Sequence, residues 1–278
     1  MGGADRQNPI IAGDDVRLSH TGDAYAIEEL LPRRTLIARG SDKRRGKQHA
    51  IVANVDHALV VFAADRPRSR VAGIDRYLVA CQYQHLDVTL VFNKWDLKDK
   101  ASEALVSTYQ SCGYRVITTR AQEEPEEARL IIGALDFKKL YVVGPSGVGK
   151  SSLLNATIPG SRAATGTVNE SSGLGRQTTT HIELVPFGED RFIADTPGLG
   201  HLTMLGIEPH NLRNLYPEMA ALGKDCRFPD CLHINEPGCR VLEELESKVT
   251  KQRYESYLLF HQDLVHEAEK TLRRGKRS

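Results

Sequence analysis

The segment GPSGVGKS, residues 144–151, constrains the fold more than any other feature of the chain. It matches the phosphate-binding loop pattern G-x-x-x-x-G-K-[ST] at every position, between an apolar strand, LYVV, and a helical segment, SSLLNAT. Glycines at 144, 147 and 149 allow consecutive backbone N–H groups to face the phosphates of a nucleotide. Lys150 is predicted to bridge the β- and γ-phosphates, and Ser151 to ligate Mg²⁺. The loop predicts a nucleotide site.

Buried strands alternate with helices on both sides of this loop. Strand patterns are AIVANVDHALVVFA, DVTLVFN, YRVITT, KKLYVV and RFIAD, and helical patterns are VAGIDRYLVACQYQ, ASEALVSTYQSCG and EEPEEARLIIGAL. Continuous apolar strands separated by helices are typical of a parallel sheet covered on both faces. The predicted fold class is therefore α/β.

Two further motifs complete a GTP site. NKWD, residues 93–96, ends a buried strand, and the Asp96 carboxylate can accept hydrogen bonds from N1–H and the exocyclic amine of guanine. Adenine has no donors there and would leave a desolvated carboxylate unpaired, so the motif favours GTP over ATP. DTPG, residues 195–198, ends another strand, where Asp195 is placed to hold Mg²⁺ through water and the Gly198 N–H to contact the γ-phosphate.

The order of the motifs is unusual. In ordinary GTPases the phosphate loop comes first, then D-x-x-G, then N-K-x-D, whereas here NKWD precedes both of the others. The sequence therefore predicts a circularly permuted GTPase domain, in which the γ-phosphate-sensing segments lie next to whatever follows them in the chain.

A second site is predicted near the C-terminus. Cys226, Cys231, His233 and Cys239 offer three thiolates and one imidazole within 14 residues, a donor set that suits a closed tetrahedral zinc site. The role is expected to be structural, because the segment is short and rich in loops. A catalytic zinc, or reduced cysteines with a stray histidine, are alternatives that the tight spacing disfavours.

The remaining segments are less specific. Residues 14–38 predict a β-hairpin, and the segment from Arg240 onward, without Pro or Gly, predicts a long helix. The chain carries 37 Lys and Arg against 36 Asp and Glu, which excludes a uniformly basic nucleic-acid-binding surface. Two local basic segments, 33–47 and 273–277, are candidates for contact with RNA phosphates. Neither a signal peptide nor a membrane span is apparent, so a cytoplasmic protein is expected.

Together, NKWD, GPSGVGKSSLLNA, SSGLGRQTTT, DTPG and C-x₄-C-x-H-x₅-C resemble the ribosome small-subunit-dependent GTPase family (RsgA, YjeQ or EngC) over roughly residues 50–260. The resemblance implies an N-terminal OB-fold, a permuted GTPase domain and a zinc-binding, mostly helical C-terminal domain, here expected at 1–48, 49–218 and 219–278. The residues expected to bind GTP are Asn93, Lys94, Trp95, Asp96, Gly144, Pro145, Ser146, Gly147, Val148, Gly149, Lys150, Ser151, Ser152, Asp195 and Gly198.

This chain departs from the family pattern in three places. About 48 residues precede the GTPase domain, too few for a complete five-stranded barrel, so only a partial OB-like module is expected. Gln177 replaces the usual histidine before the switch threonines. The loop ITTRAQ stands where a guanine-contacting Ser-Ala loop is expected, with Thr118 or Thr119 as the substitute.

The residue after DTPG is Leu199, where Ras-like GTPases carry a water-orienting glutamine, so the attacking water must be positioned by another group. Gln177 is the candidate for that role, and Lys150 is expected to support catalysis. Among the switch threonines, the resemblance favours Thr179 as the second Mg²⁺ ligand beside Ser151.

The resemblance implies a Mg²⁺-dependent GTPase that matures the small ribosomal subunit, binds its rRNA and is stimulated by the subunit. The protein is expected to be a monomer with no membrane partner. The alternative is an RNA-binding scaffold that holds GTP or GDP with negligible hydrolysis. A phosphate-loop kinase is disfavoured because NKWD is present and no lid or acceptor site is apparent.

Overall fold

The structure is a computed structural model that describes residues 10–22, 24–39, 49–158, 182–195, 204 and 206–275. Four short strands open it: β1 (Val16–Thr21), β2 (Ala24–Leu30), β3 (Leu36–Arg39) and β4 (His49–Ala53). β1 and β2 pair antiparallel around a turn at Gly22, which confirms the predicted hairpin, and β3 pairs antiparallel with β4. These strands form two separate two-stranded sheets.

A six-stranded sheet forms the centre of the molecule. Its strands are β5 (His57–Ala63), β6 (Asp87–Asn93), β7 (Arg115–Thr118), β8 (Lys139–Val143), β9 (Glu183–Pro186) and β10 (Phe192–Asp195). They lie in the order β7-β6-β5-β8-β10-β9, and all neighbouring pairs are parallel except that of β9 with β10. The parallel arrangement brings the carboxyl ends of β6, β8 and β10, which carry the three nucleotide motifs, to one edge of the sheet.

Helices cover both faces of this sheet. They are α1 (Val71–Tyr83), α2 (Lys100–Ser111), α3 (Pro125–Gly133) and α4 (Lys150–Thr157). Side chains of β5 alternate between the faces: Val60 and Phe62 pack with α1 and α2, whereas Leu59 and Val61 pack with α3 and α4. The predicted α/β class with a doubly covered parallel sheet is confirmed.

A helical region with its own apolar core follows the sheet. It contains α5 (Pro217–Gly223), α6 (Arg240–Glu243) and α7 (Lys251–Gly275). Its core includes Leu212, Tyr216, Met219, Tyr257 and Phe260. In the described part of the chain, none of the helices combines the length and the hydropathy of a membrane-spanning segment.

The predicted continuous helix from Arg240 is wrong. The chain leaves the helical path after Glu243 and makes a turn in which the Glu244 carbonyl accepts hydrogen bonds from the N–H groups of residues 248 and 249, while Glu246 adopts a φ of 66°. This turn buries Val249 completely in the core that also contains Val241. Burial of that side chain outweighs the helix propensity of the intervening residues.

Candidate nucleotide and metal sites

The phosphate loop links the end of β8 to the start of α4, and its glycines are required by close contacts. Gly149 has a φ of 92°, and a Cβ there would lie 2.2 Å from Asn93 Nδ2. A Cβ at Gly144 would lie 2.0 Å from the carbonyl oxygen of Val61. Lys150, the first residue of α4, donates from its ammonium to the carbonyls of Gly144 at 2.8 Å and Pro145 at 2.6 Å, and burial lowers its pKa. The lysine therefore already lies over the loop that would hold phosphates.

Asn93 connects NKWD to the two loops beside it. Its buried amide nitrogen donates to the carbonyls of Val148 at 3.2 Å and Gly149 at 3.4 Å. Its amide oxygen accepts from the Thr119 hydroxyl at 3.1 Å and from the Ala121 N–H at 3.2 Å. One side chain thus fixes the end of β6 against the phosphate loop and against the loop after β7.

Lys94 holds a second connection to the phosphate loop. Its backbone adopts a left-handed φ of 56°, and its ammonium donates to the carbonyls of Gly147 at 2.7 Å and Arg66 at 3.0 Å. Because both ends of the side chain are fixed, its aliphatic stem is held at the entrance between NKWD and the phosphate loop.

A cavity of about 500 Å³ opens beside these residues and has the size of a small-molecule site. Its lining includes Asn93, Lys94, Asp96, Ala121, Gly149 and Ser152. Asp96 is exposed on the short 3₁₀ helix that follows β6, so its carboxylate is available to a base in the cavity. Trp95 packs its ring against Phe92 at 6.4 Å between centroids.

The structure describes some, but not all, of the other residues that were predicted to bind GTP. Ser151 and Ser152 lie in the first turn of α4, Pro145 and Ser146 lie in the phosphate loop, and Val148 is fully buried beneath it. Asp195 ends β10, which pairs parallel with β8, so the phosphate loop and the DTPG motif start at neighbouring strand ends. Gly198, Gln177 and Thr179 lie outside the described residues.

Cys226, Cys231, His233 and Cys239 come together in the C-terminal region, with one donor atom of each within 4.8 Å of the others. His233 Nδ1 lies 3.6 Å from Cys226 Sγ and 3.4 Å from Cys239 Sγ. With Zn–S bonds of about 2.3 Å and Zn–N bonds of about 2.0–2.1 Å, a tetrahedral zinc ion separates sulfur and nitrogen by about 3.5 Å. The four side chains therefore have the chemistry and the spacing to hold a metal ion.

Side chains from outside this cluster support its backbone. Tyr254 and Tyr257, on α7, donate hydroxyl hydrogen bonds to the carbonyls of His233 at 2.8 Å and Leu232 at 2.5 Å. The Glu236 carboxylate accepts N–H groups from residues 232, 234 and 235, and these bonds outweigh burial and lower its pKa to about 2. The segment that carries the four candidate metal ligands is thus anchored to the core of the C-terminal region by the two tyrosines of α7.

Sequence reasoning found the motif residues but missed several of their partners. The Ala121 N–H, the Arg66 carbonyl and the tyrosines of α7 had no motif to reveal them. The Thr119 hydroxyl donates to Asn93, a contact that the sequence did not predict, and the contact of Thr118 or Thr119 with guanine stays a prediction.

Comparisons with known proteins agree with this geometry. The family model described as RsgA GTPase matches residues 30–205. A "Small ribosomal subunit biogenesis GTPase RsgA" from Carboxydothermus hydrogenoformans is 39% identical over 249 residues, which are 88% of this chain and 85% of that protein. One of the same name from Agathobacter rectalis is 36% identical over 264 residues, which are 91% of this chain and 82% of that protein.

Solved structures give the same answer. The crystal structure of YjeQ from Thermotoga maritima aligns with a TM-score of 0.72 and 31% identity over 94% of this chain and 86% of that one. YloQ, described as a circularly permuted GTPase, aligns with a TM-score of 0.73 and 26% identity over 94% of this chain and 83% of that one. The motifs follow the permuted order and lie at neighbouring strand ends of one sheet, and the sequence and structure matches agree with both features. The chain belongs to the RsgA GTPase family.

Proposed function

We propose that this protein hydrolyses GTP to GDP and phosphate in the biogenesis of the small ribosomal subunit, that it binds the subunit's rRNA and that the subunit stimulates the reaction. The observation that carries the proposal is the double attachment of NKWD to the phosphate loop, through Asn93 and through Lys94, beside a cavity that exposes Asp96. This arrangement would place a carboxylate that reads guanine next to a loop that holds phosphates. The names of the relatives supply the ribosomal role.

The roles of individual residues are part of this proposal. Lys150 would turn from the loop carbonyls to the β- and γ-phosphates, because phosphate oxygens offer it a stronger, charge-assisted partner. Ser151 and Thr179 would ligate Mg²⁺, with Asp195 acting through water, and Gly198 would contact the γ-phosphate. Gln177 would orient the attacking water, so Gln177→Ala should lose the stimulated rate.

We also propose three structural units. The first border lies after β4 instead of at 48/49, and the second lies before Ile207 instead of at 218/219. β4 pairs with β3 and not with the central sheet, which supports assigning it to the N-terminal module, while its Ile51 and Val52 pack on the core beneath the central sheet and so hold the two units together. Ile207 packs in the core of the C-terminal region, which supports starting that unit before α5. The protein would act in the cytoplasm, where small subunits mature, and as a monomer, which sedimentation can test.

The metal of the C-terminal site is proposed to be a structural zinc ion. Three thiolates and one imidazole fill a tetrahedral shell and leave no position for a substrate or water. Elemental analysis of the purified protein should give about one zinc per chain. Cys239→Ser should lower that ratio and destabilise the C-terminal unit, whereas Cys81→Ser, at a buried cysteine outside the cluster, should leave the ratio unchanged. Full zinc in the Cys239 variant would contradict the assignment.

The test of the GTPase is turnover with and without purified small ribosomal subunits, with ATP as the control. We expect stimulation with GTP alone, and its loss in Lys150→Ala. Binding of GTP by the wild-type protein without hydrolysis would instead indicate a scaffold.

A change at Asp96 tests how the base is read. Asp96→Asn replaces an acceptor with an amide that can also donate, which suits xanthine, whose C2 carbonyl replaces the guanine amine. The variant should lose GTP affinity by about 10²-fold or more and gain affinity for XTP. Unchanged preference for GTP would show that Asp96 does not contact the base.

A further inference from the structure

The loop between β5 and α1, residues 64–70, carries three arginines at the edge of the nucleotide site. It follows the carboxyl end of β5, which pairs with β8 and so lies beside the phosphate loop. The Lys94 ammonium contacts both the Arg66 carbonyl at 3.0 Å and the Gly147 carbonyl at 2.7 Å. The Arg66 backbone is therefore held within about 6 Å of the phosphate loop, the sum of two hydrogen-bond lengths.

The three arginines differ in what they contact. Arg68 forms an ion pair with Asp99 and is 3.8 Å from Asp65. The Arg66 side chain lies 3.6 Å from Asp65 but is 88% exposed, so this pair leaves its guanidinium largely in solvent. Arg70 is also exposed and stands at the start of α1, farther along the chain from the Lys94 contact.

The backbone at Arg66 is itself unusual. Its φ of 50° lies in the left-handed region, which is costly for a residue with a Cβ and is typical of functional loops. The neighbouring Pro67 lies against the loop, since a Cβ at Gly147 would approach its Cδ to 3.7 Å. Arg66 therefore belongs to a segment that lies against the phosphate loop at two points, through Lys94 and through Pro67.

The chemistry of the site leaves a role for such a group. Transition-state charge in GTP hydrolysis spreads over the phosphoryl oxygens, and an arginine supplied in cis or in trans can stabilise it. The D-x-x-G motif here is followed by Leu199 and not by a glutamine, and Gln177 carries no charge. A planar guanidinium presents paired donors that match two phosphate oxygens.

We propose that Arg66 is a catalytic arginine supplied in cis, whose guanidinium contacts the β- and γ-phosphates of GTP in the transition state. The proposal rests on the GTPase activity and adds to it the residue that neutralises the developing charge. It also gives Lys94 a second task, because its ammonium fixes the loop that carries Arg66.

The test compares Arg66→Ala with Arg70→Ala, an exposed arginine in the same loop, by single-turnover hydrolysis of GTP without and with small ribosomal subunits. Affinity for a fluorescent GTP analogue is measured on each variant. We expect Arg66→Ala to lower both rates by about 10²–10³-fold, as removal of a transition-state donor does, with nucleotide affinity changed less than about threefold. Arg70→Ala should match the wild-type protein.

Other outcomes would overturn the proposal. Equal rates in the Arg66 and Arg70 variants would remove the catalytic role. Loss of the stimulated rate alone would place Arg66 at the ribosomal surface, and a parallel loss of affinity and rate would indicate ground-state binding. If subunits fail to stimulate the wild-type protein, the proposed function fails, while the unstimulated rates still decide the role of Arg66.

Discussion

Arg253 of α7 is fully buried and joins the C-terminal region to the GTPase core. It forms an ion pair with Asp75 of α1 and donates to the two carboxylate oxygens of Glu218 at 2.8 and 3.0 Å. Its guanidinium lies 4.5 Å from the centroid of the Tyr216 ring. Because Asp75 and Arg253 are both 0% exposed, we predict that Arg253→Met destabilises the fold strongly.

The size of the effect follows from what the substitution leaves behind. Methionine replaces much of the arginine volume, but Asp75 and Glu218 remain in the protein interior without their cation. Removing one partner of a buried pair costs about 3–5 kcal/mol, most of it the penalty of the remaining charge. The double variant Arg253→Met/Asp75→Asn should therefore recover part of the loss, since the amide keeps an acceptor for the Tyr109 hydroxyl.

The loss should also depend on pH. Burial raises the pKa of Asp75 although Arg253 opposes the shift, so this carboxyl takes up a proton more readily in the folded than in the unfolded chain. A carboxyl group whose pKa is raised in the folded state stabilises the fold at low pH, and this contribution is lost as the pH rises through its folded-state pKa. Without Arg253 the pKa rises further, and the penalty should be smaller at about pH 5 than at about pH 8.

The assay is denaturant unfolding followed by two signals. The single tryptophan, Trp95, reports on the GTPase domain, and far-UV circular dichroism includes the 25-residue helix α7. The two transitions should coincide in the wild-type protein and separate in Arg253→Met. Arg273→Met, on the same helix but with an 81% exposed side chain, is the control and should change stability by less than about 0.5 kcal/mol. A loss below about 1 kcal/mol in Arg253→Met would refute the reasoning.

Two further changes test local geometry. Gly149→Ala places a methyl group 2.2 Å from Asn93 Nδ2 at a residue with a φ of 92°. GTP affinity, measured by fluorescence titration, should therefore fall at least about tenfold. The control is Gly113→Ala, where φ is 87° and no atom lies within 4 Å of the new Cβ, and it should leave GTP affinity unchanged. Burial of the Asp14 carboxyl acts to raise its pKa, but hydrogen bonds from Arg33 help to outweigh burial, so the pKa is lowered. The ionised carboxylate therefore stabilises the fold fully at a pH above its unfolded-state pKa, and this stabilisation is lost as the pH falls through its folded-state pKa. Asp14→Asn should therefore make the free energy of unfolding depend less on pH below about pH 4. The same pH dependence in the variant and in the wild-type protein would contradict this.

Local patterns predicted most of the central fold and the first contacts of the site. The apolar run at 57–63 forms a fully buried strand, and NKWD and the phosphate loop meet at one sheet edge because parallel strands end together. The helical patterns predicted at 71–84, 101–113 and 123–135 match α1, α2 and α3 to within two residues at each end. A cap that the periodicity did not use fixes one of these ends. Asp99 starts α2 with a reciprocal capping box to Ser102.

Contacts between distant segments were beyond such patterns. Asp75, Glu218 and Arg253 belong to no sequence motif, and 178 residues separate Asp75 from Arg253 along the chain. Similarly, nothing local predicts the turn before α7, because it is decided by the burial of Val249 in a core that residues from distant parts of the chain, including α1, α5 and α7, assemble. Tertiary packing settled these features, and sequence periodicity could not.

Helix α1 connects the nucleotide edge to the C-terminal region. Its residue Asp75 pairs with Arg253, Val79 belongs to the C-terminal core, and the Tyr83 hydroxyl donates to the Gly206 carbonyl at 2.6 Å. The arginine loop at 64–70 leads directly into this helix, and Lys94 fixes that loop to the phosphate loop. Because these contacts are continuous from the phosphate loop to α7, we expect a shift of the phosphate loop to affect α7 through α1. The circular permutation predicts a second connection, because in the sequence the DTPG motif comes shortly before Ile207, which packs in the C-terminal core.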